Sequence, residues 1–372
     1  MRIGCPKESK QQEFRVGLTP RSVATLVEDG HEVWMEHNAG IGIGCDDASY
    51  RKAGATIADN IGQLFEAVEL VVKVKEPNAE ECRLLRPEQT LFTYLHLAAS
   101  ADLTHALMRS QATCIAYETV TSDEGGLPLL MPMSEIAGRV SVQEAAVHLE
   151  KHRGGMGVLL SGATGVEPCK VIVIGGGVVG SNAARVAAGL GADVTILDRS
   201  EEKLKQLGKQ FGKSVKTTIS TPESIAELVV DAHLVVGAVL LPGGKATTVL
   251  PSALVKKMRP GSVIADVAID QGGCCENSRP TTHQDPVFTV DGVIHYCVAN
   301  IPGAVPVTAS EALNLATLPC IRTLADEGIE AALQEDSHLR NGLNVYRGKL
   351  TRPEIGKDLG IEATAAQDLL GS

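Results

Sequence analysis

The chain has 372 residues, enough for two domains, and its 44% apolar content can fill sizeable cores. A formal net charge of −11 argues against a general role on nucleic acid or anionic membranes, and 3% aromatic residues are too few for base-stacking platforms. No uncharged apolar run of about 18 residues occurs, so no membrane span is expected. The opening Met1-Arg-Ile-Gly-Cys-Pro6 lacks the apolar stretch of a signal peptide, and the expected location is cytoplasmic.

In chain order, residues 1–128 alternate predicted strands and helices. Arg2-Ile-Gly-Cys5 opens a strand. Thr19 caps a helix with Pro20 at its first position and Gly30 beyond its end. Strands follow at His31–Glu36, Val71–Lys75, Thr90–His96 and Cys114–Tyr117, with a helix over 101–112. The glycines of Gly40-Ile-Gly-Ile-Gly44 have no following helix and acid and read as a loop. Such alternation predicts a parallel α/β sheet with right-handed crossovers.

A long helix over 134–150, opened by Ser134 as cap, leads into a second domain. His148 and His152 are four apart, a helical spacing, but Leu149 breaks the H-E-x-x-H pattern. They read as a solvated face, and no metal site is expected. The nine cysteines (5, 45, 82, 114, 169, 274, 275, 297 and 320) include no C-x-x-C, so Cys274-Cys275 read as free thiols.

Val171–Ile174 is a short β-branched run, as in a buried parallel strand. Gly175, Gly177 and Gly180 follow at G-x-G-x-x-G spacing, with Val178 and Val179 between them. An alanine-rich helix comes next, then the strand Asp193–Leu197 ending at Asp198, about 20 residues past the first glycine. Each part suits a dinucleotide. Gly175 allows the turn, Gly177 a close backbone approach to the pyrophosphate, and Gly180 helix–strand packing. The helix N-terminus offers its N–H groups to phosphate. Asp198 would accept from the ribose hydroxyls and repel a 2′-phosphate, which favours NAD over NADP, although Arg199 beside it could hold that phosphate. Further strands are expected at 215–220, 234–240 and 262–269. Residues 309–372 read as mostly helical and are expected to pack back on the first domain. The fold class is α/β, two Rossmann-like domains with parallel sheets bridged by long helices, divided 1–128, 129–308 and 309–372.

Arg15, Lys75, His96 and Asp270 each fall at or just past a predicted strand. Ligands of open α/β sheets bind beyond the carboxyl ends of strands, so Lys75, His96 and Asp270 are expected to face one cleft. Arg can grip a carboxylate through two N–H groups. Lys can hold a carboxylate or polarise a carbonyl. His titrates near neutrality, as proton transfer alongside hydride transfer requires, and Asp can stabilise a cationic partner. On spacing alone, each reads more readily as a surface charge or a loop cap.

The chain resembles the alanine dehydrogenase family, which shares its fold with the NAD-binding subunit of proton-translocating transhydrogenase. The resemblance spans the whole chain. It is carried by Pro6-Lys-Glu-Ser9, Glu13-Phe-Arg-Val-Gly-Leu-Thr-Pro20, Val74-Lys-Glu-Pro77, Tyr94-Leu-His-Leu-Ala98, Pro132–Arg139, Gly175–Gly180, Asp270-Gln-Gly-Gly273, Ser278–His283 and His295–Pro306. It implies NAD-dependent oxidative deamination of L-alanine to pyruvate and ammonium, usually in a homohexamer. It also implies that Arg15 and Lys75 bind substrate, that His96 and Asp270 are the acid/base pair, and that Asn300 lies on the loop closing the nicotinamide side. Ser134, Asp198, Lys203, Ser220, Val239, Leu240 and Val298 would line the cofactor. The sequence departs from the family's pattern at Ser161–Gly165, Ile301, Val307 and Cys320. Two other readings are a hydride-transfer module without an amino-acid substrate, like the soluble transhydrogenase subunit, and a dehydrogenase for a larger amino acid and oxo acid pair. The Lys75 and His96 segments speak against the first.

Overall fold

The computed structural model describes residues 1–239 and 247–371. The chain forms two compact units. One combines Met1–Met133 with the chain from Val305 onward, and the other is Ser134–Ala304.

In the first unit, β1 (Arg2–Cys5), β2 (Glu32–Glu36), β3 (Thr56–Ala58), β4 (Leu70–Val72), β5 (Thr90–Thr93) and β6 (Thr113–Ala116) lie in the order β3-β2-β1-β4-β5-β6, all parallel. Every residue of β4, β5 and β6 is buried, as expected where helices cover both faces of a parallel sheet. Leu64, Phe65, Leu91 and Leu107 are central to the core on one side. The helix Pro20–Glu28 starts where the sequence predicts, with the Ser22 N–H donating to the Thr19 hydroxyl.

In the second unit, β7 (Lys170–Ile174), β8 (Asp193–Asp198), β9 (Val215–Ile219), β10 (Leu234–Gly237), β11 (Val263–Asp266) and β13 (Val293–Tyr296) run parallel in the order β9-β8-β7-β10-β11-β13. The strand β12 (Val287–Val290) is antiparallel at the edge. This is the doubly wound order 3-2-1-4-5-6, and the six parallel strands of the first unit follow it too. The switch points lie between β1 and β4 and between β7 and β10.

Several expected boundaries move. The expected strands 71–75, 90–96 and 262–269 end early, at Val72, Thr93 and Asp266, so Lys75, His96 and Asp270 stand on the loops beyond. The helix expected from Ser134 begins at Met131, because loop carbonyls of Leu127 and Leu130 already take the Met131 and Met133 N–H groups. Ser134 is therefore inside the helix and not its cap. That helix stops at His148, which is buried, and His152 sits on a separate short turn, Lys151–Arg153. The two do not share a solvated helical face.

The C-terminal segment is helical over Pro306–Glu327, Ile329–Glu335 and Ser337–Arg340, then adds a hairpin the sequence reading did not include. Its strands β14 (Leu343–Tyr346) and β15 (Lys349–Leu350) extend the first sheet antiparallel beyond β6. Arg347 and Gly348 form its two-residue turn, both with positive φ, 47° and 82°. Among the described residues no helix is long and apolar enough to cross a membrane, and no group of His, Cys, Asp and Glu could hold a metal ion.

Candidate active site

In the nucleotide unit, β7 ends at Ile174 and the chain turns through Gly175, at φ 103°, a conformation that suits glycine. Three residues later the helix Val178–Gly189 begins. A Cβ at Gly180 would lie 1.8 Å from the Gly175 carbonyl oxygen, so any other residue would push the helix off the strand. A Cβ at Gly177 would meet nothing within 4 Å, which leaves open space at the helix N-terminus. A pyrophosphate fits this cradle: the N-terminal N–H groups of a twelve-residue helix face an opening that, among the described residues, no side chain fills.

Asp198 closes β8, half-buried. Its carboxylate accepts the Gly176 N–H at 2.7 Å and the Ser200 N–H at 2.9 Å, fixing the glycine turn and the start of the next helix together. Each carboxylate oxygen keeps acceptor capacity for a ribose hydroxyl. Ser220 follows β9, its N–H on the Asp198 carbonyl at 2.9 Å. Lys203 is exposed on the helix Glu201–Phe211, and Val239 is half-buried just past β10. Val298 is buried past β13, and Ser134 is half-buried. Leu240 lies outside the described residues. The residues after each of β7 to β10 thus stand where a dinucleotide binds such a sheet.

Asp270 is exposed on the tight turn Val267–Gln271. The acid that ends β11 is Asp266, which the sequence reading passed over. Fully buried, it accepts from the N–H groups of Ala268 (3.2 Å), Cys274 (2.8 Å) and Cys275 (3.1 Å) and from the Ser278 hydroxyl (2.6 Å). Asp266 builds the loop that displays Asp270. Asn300 is left-handed, at φ 74°, and its carbonyl meets His283 Nε2 at 3.0 Å and the Gly303 N–H at 2.9 Å.

In the first unit, Arg15 is 2% exposed. Its Nε and Nη2 donate to the two Glu13 oxygens at 2.7 and 2.6 Å, and Nη1 lies 3.2 Å from Met133 Sδ. Burial works against the guanidinium charge, but the Glu13 pairing outweighs it and raises the pKa. The two-pronged edge that the sequence reading offered to a substrate carboxylate is therefore engaged by Glu13, and the Nη1 side is the edge turned elsewhere.

Lys75 is half-buried three residues past β4, its carbonyl accepting the Thr93 hydroxyl at 3.0 Å. Beneath it lies a cluster the sequence reading did not single out. Lys73, fully buried, donates to Glu81 at 2.8 Å and Glu8 at 3.2 Å, and Glu8 also accepts the N–H groups of Val74 (2.7 Å) and Lys75 (3.4 Å). Burial would neutralise Lys73, but the two carboxylates outweigh it and hold its pKa above the ordinary value. The alternation Val71-Val-Lys-Val-Lys75 was the available signal, since it puts Lys73 and Lys75 on one side.

His96, three residues past β5, is left-handed at φ 50°, ψ 39°. That conformation costs a non-glycine residue roughly 1–2 kcal/mol. Its N–H donates to Glu118 Oε1 at 2.6 Å, a charge-assisted bond of the kind worth about 1.5–3 kcal/mol. The ring is exposed and stacks on Tyr94 (centroids 5.9 Å apart, planes 9° apart), while the Tyr94 hydroxyl donates to the Leu129 carbonyl at 2.7 Å. Nearby Glu76 would have its pKa raised by burial. Pairing with Lys10, reinforced by His96 and Lys75, instead takes it below the ordinary carboxylate range.

One unit carries a nucleotide cradle, and the other carries Lys75 and His96 on the loops after β4 and β5, beyond the carboxyl ends of its strands. Together they define a two-domain, nucleotide-dependent oxidoreductase. Comparison with known proteins makes this specific. The family model "Alanine dehydrogenase/PNT, N-terminal domain" matches residues 4–137, and "Alanine dehydrogenase/PNT, C-terminal domain" matches residues 141–353. Proteins named alanine dehydrogenase from Halomonas elongata and Bacillus subtilis are 52% and 50% identical to the chain, each over 371 residues, covering all of this chain and 100% and 98% of theirs. A solved structure titled L-alanine dehydrogenase superposes with a TM-score of 0.93 at 51% identity, covering 97% of this chain and 99% of that one. The transhydrogenase from Sinorhizobium meliloti, at TM-score 0.81 and 22% identity, covering 95% of this chain and 99% of its own, shares the fold. The chain belongs to the alanine dehydrogenase/PNT family, and a pyridine nucleotide is the cofactor that membership implies.

Proposed function

We propose that the chain catalyses the reversible oxidative deamination of L-alanine by NAD, giving pyruvate, ammonium, NADH and a proton. The observation that carries the reading is identity of about one half, end to end, with proteins named alanine dehydrogenase, in a chain that carries Lys75, His96 and Asp270 just beyond strand ends and Arg15 buried beside Glu13. NAD in preference to NADP follows from Asp198, whose charge at the end of β8 disfavours a 2′-phosphate. Gly175, Gly177, Val178, Val179 and Gly180 would hold the pyrophosphate. Ser134, Lys203, Ser220, Val239, Leu240 and Val298 are proposed to complete the cofactor site.

Bound NAD supplies the hydride acceptor. The rest is the work of side chains. Lys75 and Arg15 hold the substrate carboxylate, and on the return path the oxo group of pyruvate, which fixes the reacting Cα for hydride transfer. Loss of hydride leaves an iminium on the substrate, which water attacks. His96 takes the proton of that water and passes it to the nitrogen of the resulting carbinolamine, whose C–N bond then breaks to release ammonia as the hydroxyl loses its proton and pyruvate forms; the return path reverses these steps. Asp270 stabilises the cationic nitrogen, and Asn300 steadies the loop on the nicotinamide side. By the same resemblance the proposed assembly is a homohexamer in the cytoplasm.

The test is turnover of pyruvate, ammonium and NADH by the purified protein, followed by NADH absorbance, with NADPH as the contrast. His96→Ala and Asp270→Asn should each lower turnover by about 10²-fold or more, the usual scale for a lost acid/base group, while NADH binding by fluorescence titration is retained. Combined, the losses should be less than multiplicative, because the two act as a unit. Near-normal turnover by His96→Ala would remove the mechanism, and no turnover by the unaltered protein would remove the function.

A further inference from the structure

Glu118 belongs to none of the groups assigned above. It stands on the short turn Tyr117–Thr119 that follows β6, and β6 is the parallel neighbour of β5, from which His96 extends. Both of its oxygens are committed to the bend that carries His96. The Leu95 N–H donates to Oε1 at 3.0 Å and Oε2 at 3.2 Å, and the His96 N–H to Oε1 at 2.6 Å. The same Oε1 lies 3.9 Å from His96 Nδ1, with the Glu118 side chain 16% exposed and the imidazole 42% exposed. That separation is too long for a hydrogen bond, so the carboxylate acts on the ring as a fixed negative charge.

The two contacts have different consequences. The backbone bonds hold a non-glycine residue in the left-handed region, which fixes the direction in which its side chain leaves the chain. The charge beside Nδ1 favours a proton on that nitrogen. In a neutral imidazole, whichever nitrogen carries the proton leaves the other as the acceptor. The base is then Nε2, on the far side of the ring from Glu118.

We propose that Glu118 is the positioning residue for His96, fixing both the left-handed bend and the Nδ1–H tautomer so that Nε2 exchanges the proton with substrate. This rests on the reading of His96 as the acid/base group.

The test is a double-mutant cycle on the full-length enzyme. Glu118→Gln keeps the shape and removes the charge. It should lower kcat about tenfold or more, with KM for pyruvate changed by less than about twofold and NADH affinity unchanged, since misplacing a catalytic group costs rate before it costs binding. In the His96→Ala background the same change should have no further effect. An equal loss in both backgrounds, or a raised KM with kcat kept, would overturn the proposal, because a general structural role predicts either. A second measurement needs no folded Glu118 variant. Nitrogen-15 NMR of the unaltered protein, with the His96 signal assigned by its loss in His96→Ala, should show neutral His96 protonated at Nδ1, and protonation at Nε2 would refute the assignment. A protein inactive on pyruvate and ammonium would remove the function reading, while the tautomer would still judge the hold of Glu118 on the ring.

Discussion

The two units build the same six-strand order and diverge in the first loop. Each second strand ends in an acid that grips the backbone after the first strand: Asp198 takes the Gly176 N–H, and Glu36 takes the Lys7 N–H, both at 2.7 Å. Beyond that shared contact the chains part. In the nucleotide unit, glycines carry the chain straight into a helix whose N-terminus stays open. In the first unit, residues 6–19 intervene before the helix Pro20–Glu28, and Glu8, Lys73 and Glu81 fill the region past β1 and β4 with ion pairs. Among the described residues one switch point is open beside the glycine turn, while the other is closed by the protein's own charges, and Lys75 and His96 stand farther out on the loops after β4 and β5. Strand order sets where a ligand can bind, and the first loop decides whether it is a nucleotide.

The severest way to break this comparison is Lys73→Met. It would leave Glu8 and Glu81 buried without a cation. Removing one partner of a buried ion pair costs about 3–5 kcal/mol, so a large fall in the urea midpoint is expected. The loss should be smaller at acidic pH, where the carboxylates can protonate. An unchanged midpoint would mean that the plug is not held by charge.

A second test sets the units apart by acid sensitivity. His295, fully buried on β13 and stacked on Phe288, with neither ring nitrogen hydrogen-bonded among the described residues, is pushed by burial down to about 4. Its folded pKa lies below the unfolded value of roughly 6.5, so the unfolded chain binds the extra proton between those values. The neutral ring's contribution is intact above roughly pH 6.5 and lost as pH falls towards 4, by up to about 3 kcal/mol at 1.36 per unit. His295→Phe should flatten the fall in stability over that window. A variant with the same acid dependence as the parent would assign it to other groups.

The mildest test compares the two equivalent acids. Asp198→Ala should narrow the preference for NADH over NADPH by about tenfold, near 1.4 kcal/mol. Glu36→Ala should leave that preference where it was. If both changes moved it alike, the nucleotide reading of Asp198 would fail and only the turn-fixing role would remain.

The nucleotide unit was the more legible in sequence because its demands on the backbone leave visible marks. The tight turn at Gly175 and the contact at Gly180 each need a missing Cβ, and Asp198 falls at a fixed distance beyond them. The first unit has the same topology without those marks, so five of its six parallel strands could be read, the three-residue β3 could not, and neither could the strand order. Charge identity alone does not tell which of two like residues is buried. Lys73 and Lys75 look alike in Val71-Val-Lys-Val-Lys75, yet one is sealed in the core; Asp266 and Asp270 look alike, yet one builds the loop that shows the other. The hairpin of β14 and β15 was missed because its turn is Arg347-Gly348, and arginine is not among the residues that announce a positive φ.

The burial of the cysteines has a practical consequence. All nine are unpaired. Burial pushes Cys5 and Cys297 up to about 12 and Cys82 up to about 11, and raises Cys114, Cys169, Cys274 and Cys275 as well. Thiolate is the species that alkylating reagents attack, so these side chains stay inert until the surrounding segment opens. Cys5, Cys82 and Cys114 lie in one unit and Cys169, Cys274, Cys275 and Cys297 in the other. The chain thus carries its own built-in reporters: pulsed alkylation followed by peptide mass spectrometry would clock the opening of each half separately, with no label to be engineered.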